Sequence, residues 1–195
     1  FAARESKYVF KYQPAKSQAA FMTFVMAPQS AGNLRQRIGY FGNDNGYYIE
    51  LSDNLYLVER SNSTGTITNT PVVQTSWNMD PLNGSGLSGI NLDMTKAQIF
   101  WLDIEWLGVG SVRQGFVIDG QFITCHIWNH ANQPGANTTY MTTACLPVRY
   151  EITNTGTTGS SHTLKQICSS VISEGGYNAF STTETAGTGI NVFRL

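Results

Sequence analysis

Apolar and polar side chains alternate with a period of two along much of the chain, and this pattern constrains the fold more than any other feature. Tyr8, Phe10 and Tyr12 are separated by single residues, as expected for a strand with one buried face. A denser apolar run at residues 21–26 precedes Pro28. No stretch longer than a turn or two keeps the period of an α-helix. The pattern predicts an all-β chain with less than about 10% helix.

Short turns join several of the predicted strands. Asp119-Gly120 separates residues 115–118 from residues 121–124, and Asp-Gly between alternating runs is a strong hairpin signal. The residues at 52–54 separate two further apolar runs, 47–51 and 55–59, in the same way. More strands are predicted at 97–107, 148–152, 164–172 and 189–193. Loops are predicted at 61–70, 83–89 and 154–161.

About a dozen short strands with regular turns are typical of a jelly-roll-like (concanavalin-like) two-sheet β-sandwich. The chain has 195 residues, enough for one domain with a substantial core. No linker or repeat divides it. We therefore predict an N-terminal basic arm or first strand at 1–18 and a single sandwich domain at 19–195. The longest uncharged run, 121–148, is too polar to span a membrane, so no membrane insertion is expected.

Charge is low overall and unevenly distributed. The net charge is -1, and charged residues make up 13% of the chain, so no basic field points to nucleic acid. Residues 1–37 nevertheless hold one acid, Glu5, and six bases: Arg4, Lys7, Lys11, Lys16, Arg35 and Arg37. The rest of the chain holds twelve acids and six bases. This segment is either a docking arm for an acidic neighbour or a strand with ordinary surface charge.

The histidines and cysteines give no ligand pattern. His126 and His130 are four residues apart, a spacing that could share a metal on a helix but spans about 13 Å on a strand. We predict no metal and no cofactor. Trp128 and His130 are instead candidate glycan contacts, since a flat ring can stack on a sugar. Three cysteines, expected to be buried thiols, lie at Cys125, Cys145 and Cys168.

A Gly-rich segment at 84–89 spells G-x-G-x-x-G. A dinucleotide site needs this motif between a strand and a helix. Here it follows Pro81-Leu82-Asn83 and leads into a polar link. We therefore interpret it as a loop.

Two carboxylates are predicted on one face of a strand. Asp103 and Glu105 alternate with Leu102, Ile104 and Trp106. The segment WLDIEWLG at 101–108 resembles the E-I-D-I-E-F-L-G strand of family-16 glycoside hydrolases. The resemblance implies assisting and acid/base roles for Asp103 and Glu105, but Trp101 stands at the nucleophile's position. We therefore expect no enzyme; the alternatives are an inactive sandwich with a sugar-binding face or purely structural carboxylates.

A longer resemblance covers roughly residues 20–177. Its blocks are NLRQRIGYFG at 33–42, NGYYIE at 45–50, parts of 89–110, GFVIDG at 115–120, LPVRYEI at 146–152 and ICSSVISEGG at 167–176. These are similar to structural proteins of tailed bacteriophages, notably marine and cyanobacterial phages, with relatives in other large DNA viruses. Members of that family are usually longer at the N-terminus, so Phe1 is expected to be a fragment start.

That resemblance implies a non-enzymatic structural protein at the virion surface: a head fibre, a capsid decoration or a tail-associated module. Its expected partners are further copies of itself, with a trimer as the expected symmetry, and other capsid or tail proteins. The alternative is a carbohydrate-binding receptor-recognition module of a tail fibre, whose partner is a host-surface glycan.

Overall fold

A computed structural model describes residues 1–29 and 32–174. The predicted strand at 189–193 lies outside the described residues. The described residues form eleven strands: β1 (Ala2–Glu5), β2 (Gln18–Val25), β3 (Leu34–Phe41), β4 (Gly46–Leu51), β5 (Leu55–Ser61), β6 (Thr68–Val73), β7 (Gln98–Ile104), β8 (Val112–Ile118), β9 (Gln121–Trp128), β10 (Val148–Asn154) and β11 (Lys165–Ser173). Within the described ranges no α-helix forms, and no helix could cross a membrane.

The strands build two antiparallel sheets. The six-stranded sheet has the order β1-β10-β3-β4-β5-β6, and the five-stranded sheet has the order β11-β2-β7-β8-β9. All nine strand pairs in the described residues are antiparallel. Consecutive strands such as β1 and β2, or β9 and β10, belong to different sheets, so the chain crosses between the sheets repeatedly.

The core lies between the sheets. Met22 and Phe24 of β2 and Phe100 of β7 are fully buried against Ile38 and Tyr40 of β3. Along β2, buried and half-buried residues alternate without exception, which is the period-two signal of a strand with one inner face. The predicted all-β, jelly-roll-like two-sheet sandwich is therefore confirmed.

Both predicted hairpins form. Asp119 and Gly120 have φ values of +52° and +76°, the left-handed backbone that a two-residue hairpin turn requires. They join β8 to β9. Between β4 and β5, the N–H of Ser52 donates to the carbonyl of Asn54 at 3.0 Å. These turns set the registers of two adjacent strand pairs, one in each sheet.

The N-terminal segment joins the six-stranded sheet. Strand β1 pairs with β10, and Glu5 forms an ion pair with Arg149 at 3.2 Å. Further along, the N–H of Phe10 donates to the carbonyl of Leu146 at 3.0 Å. Tyr12 is buried. The first dozen residues thus pack onto the sandwich as an edge strand and its continuation.

Two strands have sequences that do not look like strands. Half of β6 lies within the segment predicted as a loop at 61–70, and that prediction is wrong for residues 68–70 and for Ser61, which ends β5. β6 is polar, mostly exposed and contains Pro71, all of which an edge strand tolerates. In β3, Gln36 faces inward and is 1% exposed. Its amide group bonds both the N–H and the carbonyl of Ala27, at 2.8 and 3.0 Å.

Candidate binding groove

Strand β7 presents different chemistry to its two sides. Phe100, Leu102 and Ile104 point into the core and are at most 1% exposed. Trp101 and Asp103 lie on the other side of the strand, as the alternation predicted. Asp103 therefore stands on the outer face of the five-stranded sheet.

A groove of about 510 Å³ runs over this outer face. It crosses all five strands of the sheet. We call it the outer groove; the residues that define it are Phe21, Trp101, Asp103, Arg113, Phe122 and Ile172. They come from β2, β7, β8, β9 and β11, so the site exists only once the sheet is assembled.

Aromatic side chains form one end of the outer groove. Phe21 is the register partner of Trp101. Phe122 contacts both rings edge-on, with centroids 5.9 Å from Phe21 and 5.7 Å from Trp101. Trp101 is 7% exposed and its indole N–H donates to the carbonyl of Phe116 at 3.3 Å, whereas Phe122 is 60% exposed. Phe122 therefore offers its ring to solvent while Trp101 forms the base beneath it.

Charged side chains form the other end. Asp103 and Arg113 are register partners on β7 and β8 and form an ion pair. The hydroxyl of Ser17 donates to the second oxygen of Asp103 at 2.8 Å. Glu105 lies just beyond the strand, with its Oε1 atom 3.7 Å from Nη2 of Arg113. Glu174 also lines the groove, and its backbone N–H donates to the carbonyl of Ser17 at 2.9 Å.

This arrangement can bind a polar ligand that has a flat apolar side. Asp103 is occupied by two partners, so its carboxylate fixes the guanidinium of Arg113 rather than standing free. Arg113 and Glu105 are about half exposed and can donate to and accept from a ligand. Next to them, Phe122 provides a stacking surface. Ring stacking beside oriented polar groups is the usual chemistry of a saccharide site.

Trp128 and His130 lie elsewhere, between the sheets. Trp128 is 8% exposed, and its indole N–H donates to Gln114 at 2.7 Å. The His130 ring stacks on Tyr140 at 3.6 Å. One ring nitrogen is 2.7 Å from the carbonyl of Gly110 and the other is 2.7 Å from the Glu59 carboxylate. These polar atoms are satisfied within the protein, and a glycan contact by Trp128 and His130 stays a prediction.

His126 is separated from His130 in both position and bonding. Nδ1 of His126 accepts from the backbone N–H of Asn78 at 3.2 Å. Burial lowers the pKa of His126. Across the described ranges no cluster of three or more His, Cys, Asp or Glu side chains has the arrangement of a metal site.

The cysteines occupy three different environments. Cys125 is buried, and its burial raises the thiol pKa strongly. Cys145 is half-buried and accepts from the N–H of Tyr12 at 3.3 Å. Cys168 is exposed on β11, so the expectation of three buried thiols is wrong for it. The error arises because Cys168 is the register partner of Thr23, which alternates with the buried Met22 and Phe24, so the Cys168 thiol lies on the outer face of the sheet.

The G-x-G-x-x-G segment is a loop, as interpreted from its context. The buried Asp80 carboxylate accepts from the backbone N–H groups of Leu82 at 2.9 Å and Ser88 at 2.8 Å. A Cβ atom at Gly86 would lie 2.0 Å from this carboxylate. The loop therefore packs around the Asp80 carboxylate, which already uses the N–H of Ser88.

Sequence reasoning identified Trp101, Asp103 and Glu105 but not the residues beside them. Arg113 follows Asp103 by ten residues, and Phe122 follows by nine more. The Asp119-Gly120 turn was the available signal, because a two-residue hairpin fixes which residues of β8 and β9 are opposite each other. No corresponding turn links β2 to β7, so Phe21 could not be placed.

Comparison with known proteins gives only distant structural similarity. No family model and no curated protein matches the sequence. The binding domain of botulinum neurotoxin serotype D/C is 13% identical with a TM-score of 0.38, over 81% of this chain and 32% of that one. The CBM40 module of the Ruminococcus gnavus IT-sialidase is 6% identical with a TM-score of 0.39, over 88% and 90%. Alginate lyase A1-II′, of polysaccharide lyase family 7, is 13% identical with a TM-score of 0.38, over 86% and 66%. The chain spans about a third of the neurotoxin binding domain.

Proposed function

We propose that this protein is a non-enzymatic binding module of a virion surface, and that its outer groove binds a glycan. The observation that carries the glycan proposal is the outer groove itself. An exposed ring, Phe122, stands beside the half-exposed Arg113 and Glu105 on a rigid sheet. A sugar has apolar C–H faces and hydroxyl edges, so it can use both parts of the groove at once.

The sheet gives the site its preorganisation. Asp103 fixes Arg113, and the Phe21 ring contacts the Phe122 ring edge-on. Side chains held in this way lose little conformational freedom when a ligand binds. The site therefore needs no rearrangement to accept a chain of sugar rings.

A glycan array with the wild-type protein and two variants tests this proposal. Phe122→Ala removes the exposed ring and should weaken every bound glycan about tenfold, the size expected from lost ring packing. Leu87→Ala is the control, because Leu87 is a fully exposed apolar residue outside the outer groove. Binding that survives Phe122→Ala unchanged, or no glycan binding at all, would contradict the proposal.

The same residues support binding without hydrolysis. A retaining glycosidase needs a carboxylate nucleophile near its acid/base, and Trp101 stands at that position of the family-16 pattern. Asp103 is held by Arg113 and Ser17. We expect no release of reducing sugar from β-glucans. Release that Glu105→Gln abolishes would show that the protein is a hydrolase.

The virion location rests on the phage-like sequence blocks. A second candidate function, a structural contact between copies or with other virion proteins, has its own observation. Tyr8 and Val9 are exposed by 72% and 54%, and with Phe10 and Val171 they line a separate groove of about 420 Å³. Exposed apolar surface of this kind is used for subunit contacts.

Light scattering on the purified protein tests that second candidate. A trimer that Tyr8→Ala or Val9→Ser dissociates would support a subunit contact through the N-terminal segment. A monomer at high concentration would exclude it.

Binding to virions that is equally strong at low and high salt would argue against docking through basic residues.

A further inference from the structure

The outer groove carries more acids than bases. Among the residues that the structure describes, Asp103, Glu105 and Glu174 line it together with one base, Arg113. Arg113 and Asp103 neutralise each other through their ion pair. The lining therefore has an excess of negative charge, which comes from Glu105 and Glu174.

The Glu105 and Glu174 carboxylates are positioned to contact a ligand in the outer groove. The Glu105 side chain is 53% exposed and its nearest base is 3.7 Å away, too far for a hydrogen bond. Glu174 is exposed, and its backbone bond to Ser17 holds it at the β11 end of the groove. Both acids lie on the side of the groove where Asp103 meets Ser17, away from Phe122.

We propose that the outer groove selects amino sugars, and that Glu105 and Glu174 are the specificity-determining residues. This inference rests on the proposed glycan-binding function and names its ligand class. In an oligomer of hexosamines with free amines, one ring stacks on Phe122 and a neighbouring ring places its ammonium group at the charged end of the groove. The ammonium complements the excess carboxylates. A uronic or sialic acid would bring a further negative charge next to them and would be disfavoured.

Three oligosaccharides with one backbone isolate the effect of charge. Cellohexaose is neutral, the fully deacetylated chitosan hexamer carries amines at C2, and the C6-oxidised cellohexaose carries carboxylates. Titration calorimetry at about pH 5.5 keeps the amines of the chitosan hexamer protonated. Exposed ion pairs are worth up to about 1 kcal/mol, so we expect chitosan to bind roughly fivefold more tightly than cellohexaose. We expect the oxidised chain to bind more weakly than either.

Glu105→Gln and Glu174→Gln should each reduce the ratio of chitosan to cellohexaose affinity, and the double variant should bring that ratio close to one. Asp44→Asn is the control, because Asp44 is an exposed acid in the β3–β4 turn, outside the groove. Circular dichroism confirms folding of each variant.

Each outcome decides between the two claims. Equal binding of all three oligosaccharides, or a chitosan preference that both Gln variants keep, overturns the amino-sugar inference. If Phe122→Ala still weakens oligosaccharide binding, the proposed glycan-binding function stands without the amino-sugar inference. No binding of any of the three, and none on the glycan array, overturns both.

Discussion

Removing one buried arginine should destabilise the six-stranded sheet strongly. Glu151, Arg37 and Glu50 stand in register on β10, β3 and β4. Arg37 contacts Glu50 at 2.9 Å and Glu151 at 3.4 Å. The side chain of Arg37 is 11% exposed, that of Glu50 is 18% exposed and that of Glu151 is 6% exposed. Arg37→Ala would leave two poorly solvated carboxylates facing each other.

Breaking a buried ion pair on one side costs about 3–5 kcal/mol. Glu151 keeps a second partner, Arg149, at 2.6 Å, so we expect the lower end, about 3 kcal/mol. For a chain of this size that corresponds to a fall in Tm of roughly 6–12 °C. Urea denaturation followed by tryptophan fluorescence measures the free energy of unfolding directly.

Arg35→Ala is the matched control, because it removes the same charge from the same strand, where Arg35 stands beside Thr153. Its effect should stay within about 0.5 kcal/mol. If Arg37→Ala and Arg35→Ala differ by less than that amount, the ion pairs do not stabilise the sheet as argued.

Three further changes test other parts of the structure. Burial alone would raise the pKa of Asp80, but hydrogen bonds from two backbone N–H groups outweigh burial and lower the pKa. The free energy of unfolding should therefore fall as the pH drops below about 4. Asp80→Asn should flatten that pH dependence in urea titrations. Gly39→Ala places a Cβ 2.2 Å from a carbonyl of β4 and should cost at least about 2 kcal/mol in thermal melts, whereas Gly159→Ala, with open space around it, should be neutral. His130→Ala leaves Glu59 without its 2.7 Å partner and should cost about 2–3 kcal/mol by urea denaturation; a neutral result would show that this pair is not structural.

The sequence predicts strands well where one face is apolar, and poorly where it is not. β2 and the β8–β9 hairpin follow the period-two pattern and the turn chemistry closely. β3 was not predicted from its pattern, because Gln36 takes an inward position and Arg37 is partly buried beside it. Their polarity is compensated by partners on other strands and in the chain before β3, and a single sequence does not show those partners.

The candidate site was predictable only in part for a related reason. Alternation alone places Trp101 and Asp103 on one side of β7. Arg113 and Phe122 join them through the registers of β7 with β8 and of β8 with β9. The prediction of a glycan contact at Trp128 rests on its residue type alone, and it stays a prediction for a side chain that is 8% exposed.

A chemical-shift map of the isotopically labelled protein titrated with chitosan hexamer tests the central claim most directly. We expect the largest chemical-shift changes on the outer face of the five-stranded sheet, at Phe21, Trp101, Arg113 and Phe122. The Trp128 indole should stay unperturbed. Shifts centred on Trp128 and the Glu59–His130 pair, or no saturable shifts on the outer face, would contradict it.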